Sequence, residues 1–207
     1  MHIPTFDTNT QIPVMEHFYT IQGEGNYTGS AAYFIRLAGC DVGCVWCDVK
    51  ESWIVSEHQI MNINELILEI QKYPSKLIVI TGGEPLIYDL KPLTAALKSK
   101  GYIINIETSG AYPISGQLDW ICLSPKKFKA PLPEIIKLAH ELKIIIYNKS
   151  DFKWAESFVE NTSNNCQYFL QPEWSTKEKM MPQTIEYVMQ NPKWRISIQT
   201  HKYLNIP

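Results

Sequence analysis

Three cysteines fall within eight positions, Cys40-Asp41-Val42-Gly43-Cys44-Val45-Trp46-Cys47, in the order C-x-x-x-C-x-x-C. Thiols this crowded read as a ligand set, not as core packing. A [4Fe–4S] cluster is commonly held by four thiolates; three would leave one iron open to an outside ligand. The other two cysteines lie far downstream. Cys122 is central in an apolar strand and reads as buried packing, Cys166 as a bystander ahead of a strand. Zinc is the rival, because Cys3His is a known structural set and His17 or His58 would complete one. Zinc motifs, however, usually come as two separated pairs, and the sequence has one cluster only. Gly39 and Gly43 suit a loop wrapped round a bulky inorganic core, and Trp46 would shield that core from water or simply pack.

Other chemistry-bearing residues recur where apolar runs stop. Gln22-Gly23-Glu24-Gly25 follows a β-rich segment, and its glycines would let backbone approach a ligand or form a surface turn. Arg36 sits inside the apolar run Ala32–Leu37, so it needs a partner or an edge position from which to reach water. Gly82-Gly83-Glu84-Pro85 ends one strand and Glu107-Thr108-Ser109-Gly110 the next. Ser124-Pro125-Lys126, Gln171-Pro172-Glu173-Trp174 and Gln199-Thr200-His201-Lys202 end three more.

The elements that must position these residues alternate. After an irregular lead-in over Met1–Pro13 come strands near 16–21, 32–37, 76–80, 102–106, 119–123, 142–147, 168–170 and 194–198. Helices are expected after an Asn62 cap, over 90–100 with Pro92 in the first turn, over 133–140, over 151–159 behind a Ser150 cap, and over 184–190. Such alternation argues for parallel βαβ units in an α/β fold, whose ligands bind at the C-terminal ends of the strands. At 207 residues the chain is short for an eight-fold barrel of ~250. The expectation is one domain over 1–207, an incomplete TIM-like barrel of about six parallel β/α units, with its mouth at the cysteine loop.

The bulk numbers bound the rest. Hydrophobic residues make up 45% and charged ones 19%, with a net charge of −2. That is ordinary for a globular domain and implies no general attraction to nucleic acid or anionic membrane. No apolar run approaches a membrane span, and Met1–Val14 has no signal-peptide core. A cytoplasmic setting is expected, where clustered thiols favour metal chemistry over disulfides.

C-x-x-x-C-x-x-C together with Gly82-Gly83-Glu84-Pro85 resembles the radical S-adenosyl-L-methionine (SAM) superfamily. Phe18–Gly25, Phe34–Cys40, Glu107–Gly110, Ser124–Lys126 and the closing His201-Lys202-Tyr203-Leu204-Asn205-Ile206-Pro207 resemble the 7-carboxy-7-deazaguanine synthase family more closely, in order and over nearly the whole chain. The resemblance implies a radical SAM lyase. Its [4Fe–4S] cluster would be held by Cys40, Cys44 and Cys47, with SAM chelating the open iron and being cleaved to a 5′-deoxyadenosyl radical. The implied reaction turns 6-carboxy-5,6,7,8-tetrahydropterin into 7-carboxy-7-deazaguanine with loss of ammonia, by abstraction of hydrogen from C6. The product would feed 7-deazapurines such as queuosine.

By the same resemblance, Gly82, Gly83, Glu84, Ser124, Pro125, Lys126, Gln171 and Trp174 would line the SAM site. Ile21, Gln22, Gly23, Glu24, Arg36, Thr81, His201 and the Pro207 carboxylate would meet the pterin, Arg36 by gripping its carboxylate. A flavodoxin-like one-electron donor and a homodimer are implied too. One position departs from the family, which has Thr or Ser two residues after the last cluster cysteine to help hold Mg²⁺. Here Val49 stands there and has no oxygen to offer, which leaves Asp48 or water as the ligand. The alternatives from other classes are a glycyl-radical activating enzyme, which shares the cysteine spacing but not the Gln-Gly-Glu-Gly segment, and a zinc-stabilised binding module.

Overall fold

The computed structural model describes residues 3–207, so Met1 and His2 of the expected lead-in lie outside the described residues. One nine-stranded sheet organises the chain, in the order β3-β1-β2-β4-β5-β6-β7-β8-β9. The first three strands are β1 (Gln11–Ile21), β2 (Ala31–Leu37) and β3 (Ile60–Asn62), and the run continues with β4 (Leu77–Gly82) and β5 (Ile103–Thr108). It ends with β6 (Trp120–Leu123), β7 (Glu141–Ile146), β8 (Gln167–Pro172) and β9 (Trp194–Ile196). From β2 through β4 to β9 every pairing is parallel. That makes seven parallel strands, one more than expected, in a sheet that runs open from β3 to β9.

β1 breaks the parallel pattern. It pairs antiparallel with β2 and with β3. Residues 22–30 contain only a single 3-10 turn, Gly25–Tyr27, and a parallel crossover needs a dozen residues or more. β1 also begins at Gln11, so Pro13 belongs to a strand and not to an irregular lead-in. Its carbonyl still accepts a bond from Ala38 N–H at 3.1 Å.

The helices follow their sequence signals with small shifts. α1 (Ile63–Ile70) buries Ile63, Leu66, Ile67 and Ile70, the i, i+3, i+4, i+7 stripe of a helix on a sheet. Asn62 caps it by accepting Asn64 N–H at 2.9 Å. α2 (Lys91–Ser99) carries Pro92 in its first turn, and α3 (Pro133–Leu138) is a short crossover. α4 (Ser150–Val159) starts on Ser150 instead of being capped by it. Asp151, in its first turn, ties down the approach to the helix by accepting Tyr147 and Asn148 N–H at 2.8 Å each. α5 (Lys177–Gln190) begins seven residues before the expected start, and α6 (Thr200–Leu204) is a short helix that was not expected. No described helix is long and apolar enough to cross a membrane.

Alternation sorts the strand residues onto two faces. Tyr33, Ile35 and Leu37 of β2, Ile78 and Ile80 of β4, and Ile104 and Ile106 of β5 pack with α1 and α2 in one aliphatic layer. Leu142, Ile144 and Ile146 of β7 and Leu170 of β8 pack with Phe152, Ala155 and Met180 in a second. The intervening residues point to the interior, where the polar groups collect.

Candidate active site

The C-terminal ends of the strands open into one cavity of about 250 Å³. Cys40, Cys44, Cys47 and Trp46 form part of its rim. The cysteine loop leaves β2 and is laced to its surroundings by backbone bonds. Gly39 N–H donates to Ser52 O at 2.6 Å, Glu84 N–H to Gly39 O at 2.9 Å, and Cys47 N–H to Cys44 O at 3.1 Å. Asp41 is gripped by Lys129 Nζ at 2.8 Å and by the Tyr112 hydroxyl. A Cβ on Gly83 would lie 2.2 Å from Gly39 O and 2.8 Å from Cys40 Cβ, so only glycine lets the β4 end press against the loop.

Burial pushes the Cys40 thiol up and takes Cys44 to about 11. Bare thiols here stay protonated, and a cationic metal centre is what would deprotonate them. Among the described residues no three His, Cys, Asp or Glu side chains close on a single-ion geometry. Three thiols on one rim match a [4Fe–4S] cluster with one iron left open to an outside ligand.

The two ends of the chain make one wall of the cavity. Ile21, Gln22, Gly23 and Glu24 border the cavity with His201 and Pro207. Thr200 N–H donates to Gly23 O at 2.9 Å, and the Thr20 hydroxyl reaches Pro207 O at 3.4 Å. Burial lowers the His201 imidazole, with Glu24 opposing. Arg36 and Thr81 pair across β2 and β4 and both face in. The partner that Arg36 requires is Glu16, its neighbour on β1, at 2.6 Å from Nε.

Gly82, Gly83, Glu84, Ser124, Lys126, Gln171 and Trp174 border the same cavity; Pro125, beside Ser124, is buried but does not. Glu84 is only 1% exposed. Its carboxylate accepts Leu86 N–H at 3.1 Å, the Thr108 hydroxyl at 2.6 Å, Ser109 N–H at 2.8 Å and the Ser109 hydroxyl. It thus braces the ends of β4 and β5. Lys126 donates to Ser124 O at 2.7 Å and lies 5.6 Å from the Trp46 ring. Gln171 accepts from the Ser197 hydroxyl at 2.7 Å, and Trp174 is flanked by Lys177 and Lys202.

Lys143, at the charged centre of the site, was not read from the sequence. Lys143, 3% exposed at its side chain, bonds Glu24 at 2.6 Å and Glu107 at 2.9 Å. Gln22 donates to Glu107 at 2.9 Å and Gln199 to Glu24 at 3.0 Å. Burial alone would raise the Glu24 carboxyl, but the Lys143 ammonium and the Gln199 and Gln171 amides hold it at about 2. Burial works against the Lys143 charge too, and its two carboxylates push it well above the ordinary lysine value. The available signal was a lysine inside Leu142–Ile146, the same anomaly as Arg36 in β2. Asp48 faces the cavity, but its carboxylate meets Gln199 Nε2 at 3.3 Å and Lys202 Nζ at 3.2 Å.

The comparisons with known proteins agree with this geometry. The Radical SAM superfamily profile matches residues 34–146. A 7-carboxy-7-deazaguanine synthase from Flavobacterium psychrophilum is 58% identical over 95% of this chain and 93% of its own. The chain belongs to the 7-carboxy-7-deazaguanine synthase family. The synthase of Escherichia coli K12 is 34% identical over 95% of this chain and 99% of its own. The crystal structure of QueE from Escherichia coli superposes with a TM-score of 0.83 at 33% identity, covering 92% of this chain and 95% of that one. The expected incomplete barrel and radical SAM class are thus both found, and Gln22, Glu24 and His201 border the same cavity as the thiols.

Proposed function

We propose that the chain converts 6-carboxy-5,6,7,8-tetrahydropterin to 7-carboxy-7-deazaguanine with loss of ammonia, toward 7-deazapurines such as queuosine. Cys40, Cys44 and Cys47 would hold the [4Fe–4S] cluster. The observation that carries this reading is that the thiol rim, the Gly82-Gly83 strand end and the Gln22–Glu24/His201 wall all border one cavity. Cluster and SAM, when bound, supply the one-electron radical chemistry; the protein supplies aim, charge and exclusion of water.

Glu24, held ionised by Lys143, accepts N–H groups of the pterin ring, and Gln22 adds an amide beside it. Arg36 gives Nε to Glu16. That fixes the guanidinium plane and directs its remaining N–H groups to the substrate carboxylate. The Ile21 and Gly23 backbone, Thr81, His201 and Pro207 complete that wall. Gly82, Gly83, Ser124, Lys126, Gln171 and Trp174 would receive SAM, with Glu84 bracing the strand end. Placement close to a reactive geometry, not a single acid or base, is the main contribution of these side chains.

Mg²⁺ does not fit as readily. Val49 presents hydrocarbon, and the Asp48 carboxylate is engaged by Lys202 and Gln199, whereas this ion demands oxygen ligands. A flavodoxin-like electron donor, a homodimer and a cytoplasmic setting complete the proposal; five free cysteines suit a reducing compartment.

Anaerobic purification tests the cluster: the protein should be brown, with broad visible absorption, and colourless zinc-loaded protein would refute it. Turnover of 6-carboxytetrahydropterin with SAM and a reductant then tests the reaction. Cluster-loaded protein that forms no deazaguanine would overturn the proposed activity.

A further inference from the structure

Beneath the cavity lies a second, deeper polar layer. Inward positions recur every second residue along a strand. Lys143 of β7 and Glu107 of β5 face the cavity. Two residues back on each strand stand Glu141 and Asn105, with Trp120 and Cys122 of β6 between them. These four surround a separate pocket of about 10 Å³, roofed by Gln22 and Glu24. That is room for roughly one water molecule. Asn105 is 4% exposed, and its Oδ1 has no hydrogen-bond partner among the described residues. Buried amide oxygens are seldom left unpaired.

Glu141 connects this pocket to the wall above it. Its Oε2 accepts Asn26 N–H at 3.1 Å and Trp120 Nε1–H at 3.1 Å. Its Oε1 lies 3.5 Å from Cys122 Sγ. Gly25 stands at φ +63, and a Cβ there would fall 1.9 Å from Oε1. The carboxyl therefore presses directly under the turn that carries Gln22 and Glu24, and only glycine allows that approach.

We propose that the deep pocket holds one ordered water bridging Asn105 Oδ1 to the Glu141 carboxyl, and that Glu141 is a positioning residue setting the Gln22–Asn26 turn against the substrate. The second half rests on the reading of Gln22 and Glu24 as pterin-binding. The water supplies both hydrogens of the bridge, one to Asn105 Oδ1 and one to a Glu141 oxygen, as its two O–H donors allow. Burial raises the Glu141 carboxyl, and Glu107 adds to the effect; Lys143, Asn26 N–H and Trp120 Nε1–H oppose it. Lys143 is already shared between Glu24 and Glu107. The other titratable groups near Glu141 are the Cys122 and Cys166 thiols, Tyr27, and His140 stacked on Trp120. Asn26 N–H and Trp120 Nε1–H bind the ionised carboxyl more strongly than the acid form, so the turn tightens as pH rises through the raised Glu141 value.

The test is the pH profile of KM for 6-carboxytetrahydropterin on cluster-loaded enzyme, with a crystal structure of the same protein. Wild type should bind substrate more tightly as pH rises through the ionisation of Glu141. Glu141→Gln, which keeps the shape but carries no charge, should lose that dependence and stay within about twofold of wild type at the acid end of the profile. Glu141→Ala should raise KM roughly tenfold at every pH, with a smaller change in kcat. Parallel profiles for wild type and E141Q would overturn the positioning role. The crystal structure should show one water within hydrogen-bond distance of Asn105 Oδ1 and Glu141, and a pocket without that density would overturn the bridge. Wild-type protein that never turns over the pterin defeats the proposed function instead, and leaves the water to be judged from density alone.

Discussion

β7 carries two kinds of residue in one strand, and they obey opposite rules. Leu142, Ile144 and Ile146 are fully buried against helices in an aliphatic layer. Glu141, Lys143 and Ile145 alternate with them and turn inward, where Lys143 meets Glu24 and Glu107. The outer face is held by contact area, a non-directional force that tolerates exchange of like for like. The inner face is held by paired charges taken out of water, whose attraction compensates desolvation only while every partner is present. The first arrangement gives stability; the second gives a defined electrostatic surface under a ligand.

Removing one member of each face sharpens the contrast most. Lys143→Met leaves Glu24 and Glu107 as uncompensated carboxylates and should cost about 3–5 kcal/mol, with pterin turnover abolished. Ile144→Val on the outer face should cost about 0.5–1.5 kcal/mol and leave turnover of the folded protein unchanged. Denaturant midpoints and anaerobic assays check both. Adding Glu107→Gln to the Lys143 variant should restore part of the stability. If it restores none, the loss comes from packing and the two faces do not differ as argued.

A smaller effect separates the faces by pH. The Glu24 carboxyl is depressed from 4.5 to about 2 in the folded protein. A depressed carboxylate contributes stability above its unfolded value, and that contribution disappears as pH falls from about 4.5 toward 2. The loss should be on the order of 3 kcal/mol. Glu24→Gln should be less stable near neutrality and should lack this acid-dependent fall. Matching acid profiles for the two proteins would show that the Lys143 pairing does not set the Glu24 charge. The aliphatic face contributes no such window.

The same contrast explains what the sequence disclosed. Outer-face residues announce themselves by period, so the parallel strands and the α1 stripe with its Asn62 cap were legible. Strand-end motifs were legible because glycines and acids interrupt apolar runs, as at Gly82–Pro85. The inner face was half legible. Arg36 and Lys143 are visible as charges in apolar strands, but their partners Glu16, Glu24 and Glu107 come from other strands, and pairing across a sheet leaves no local trace. The direction of β1 was hidden for a different reason, since strand propensity does not state which way a strand runs. α5 runs further than the expected 184–190 and takes in Pro182, which lacks the amide that would bond four residues back. The helix nonetheless starts at Lys177, where the preceding Glu173 carboxylate accepts Ser175 and Thr176 N–H and Met180 and Thr184 are buried.

The smallest predicted effect lies where the two kinds of residue meet on the cysteine rim. Val49 is an outer-face type of side chain bordering the polar cavity. Beside it, Asp48 is satisfied by Lys202 and Gln199, so a cation of the chain's own stands where a metal would have to compete. Turnover measured with Mg²⁺ and again with a chelator should therefore differ little in wild type. Val49→Thr adds one hydroxyl oxygen without changing volume much, and its stimulation by Mg²⁺ should exceed that of wild type. Equal stimulation of the two proteins would show that residue 49 does not govern the metal response and that Lys202 does not take the ion's place.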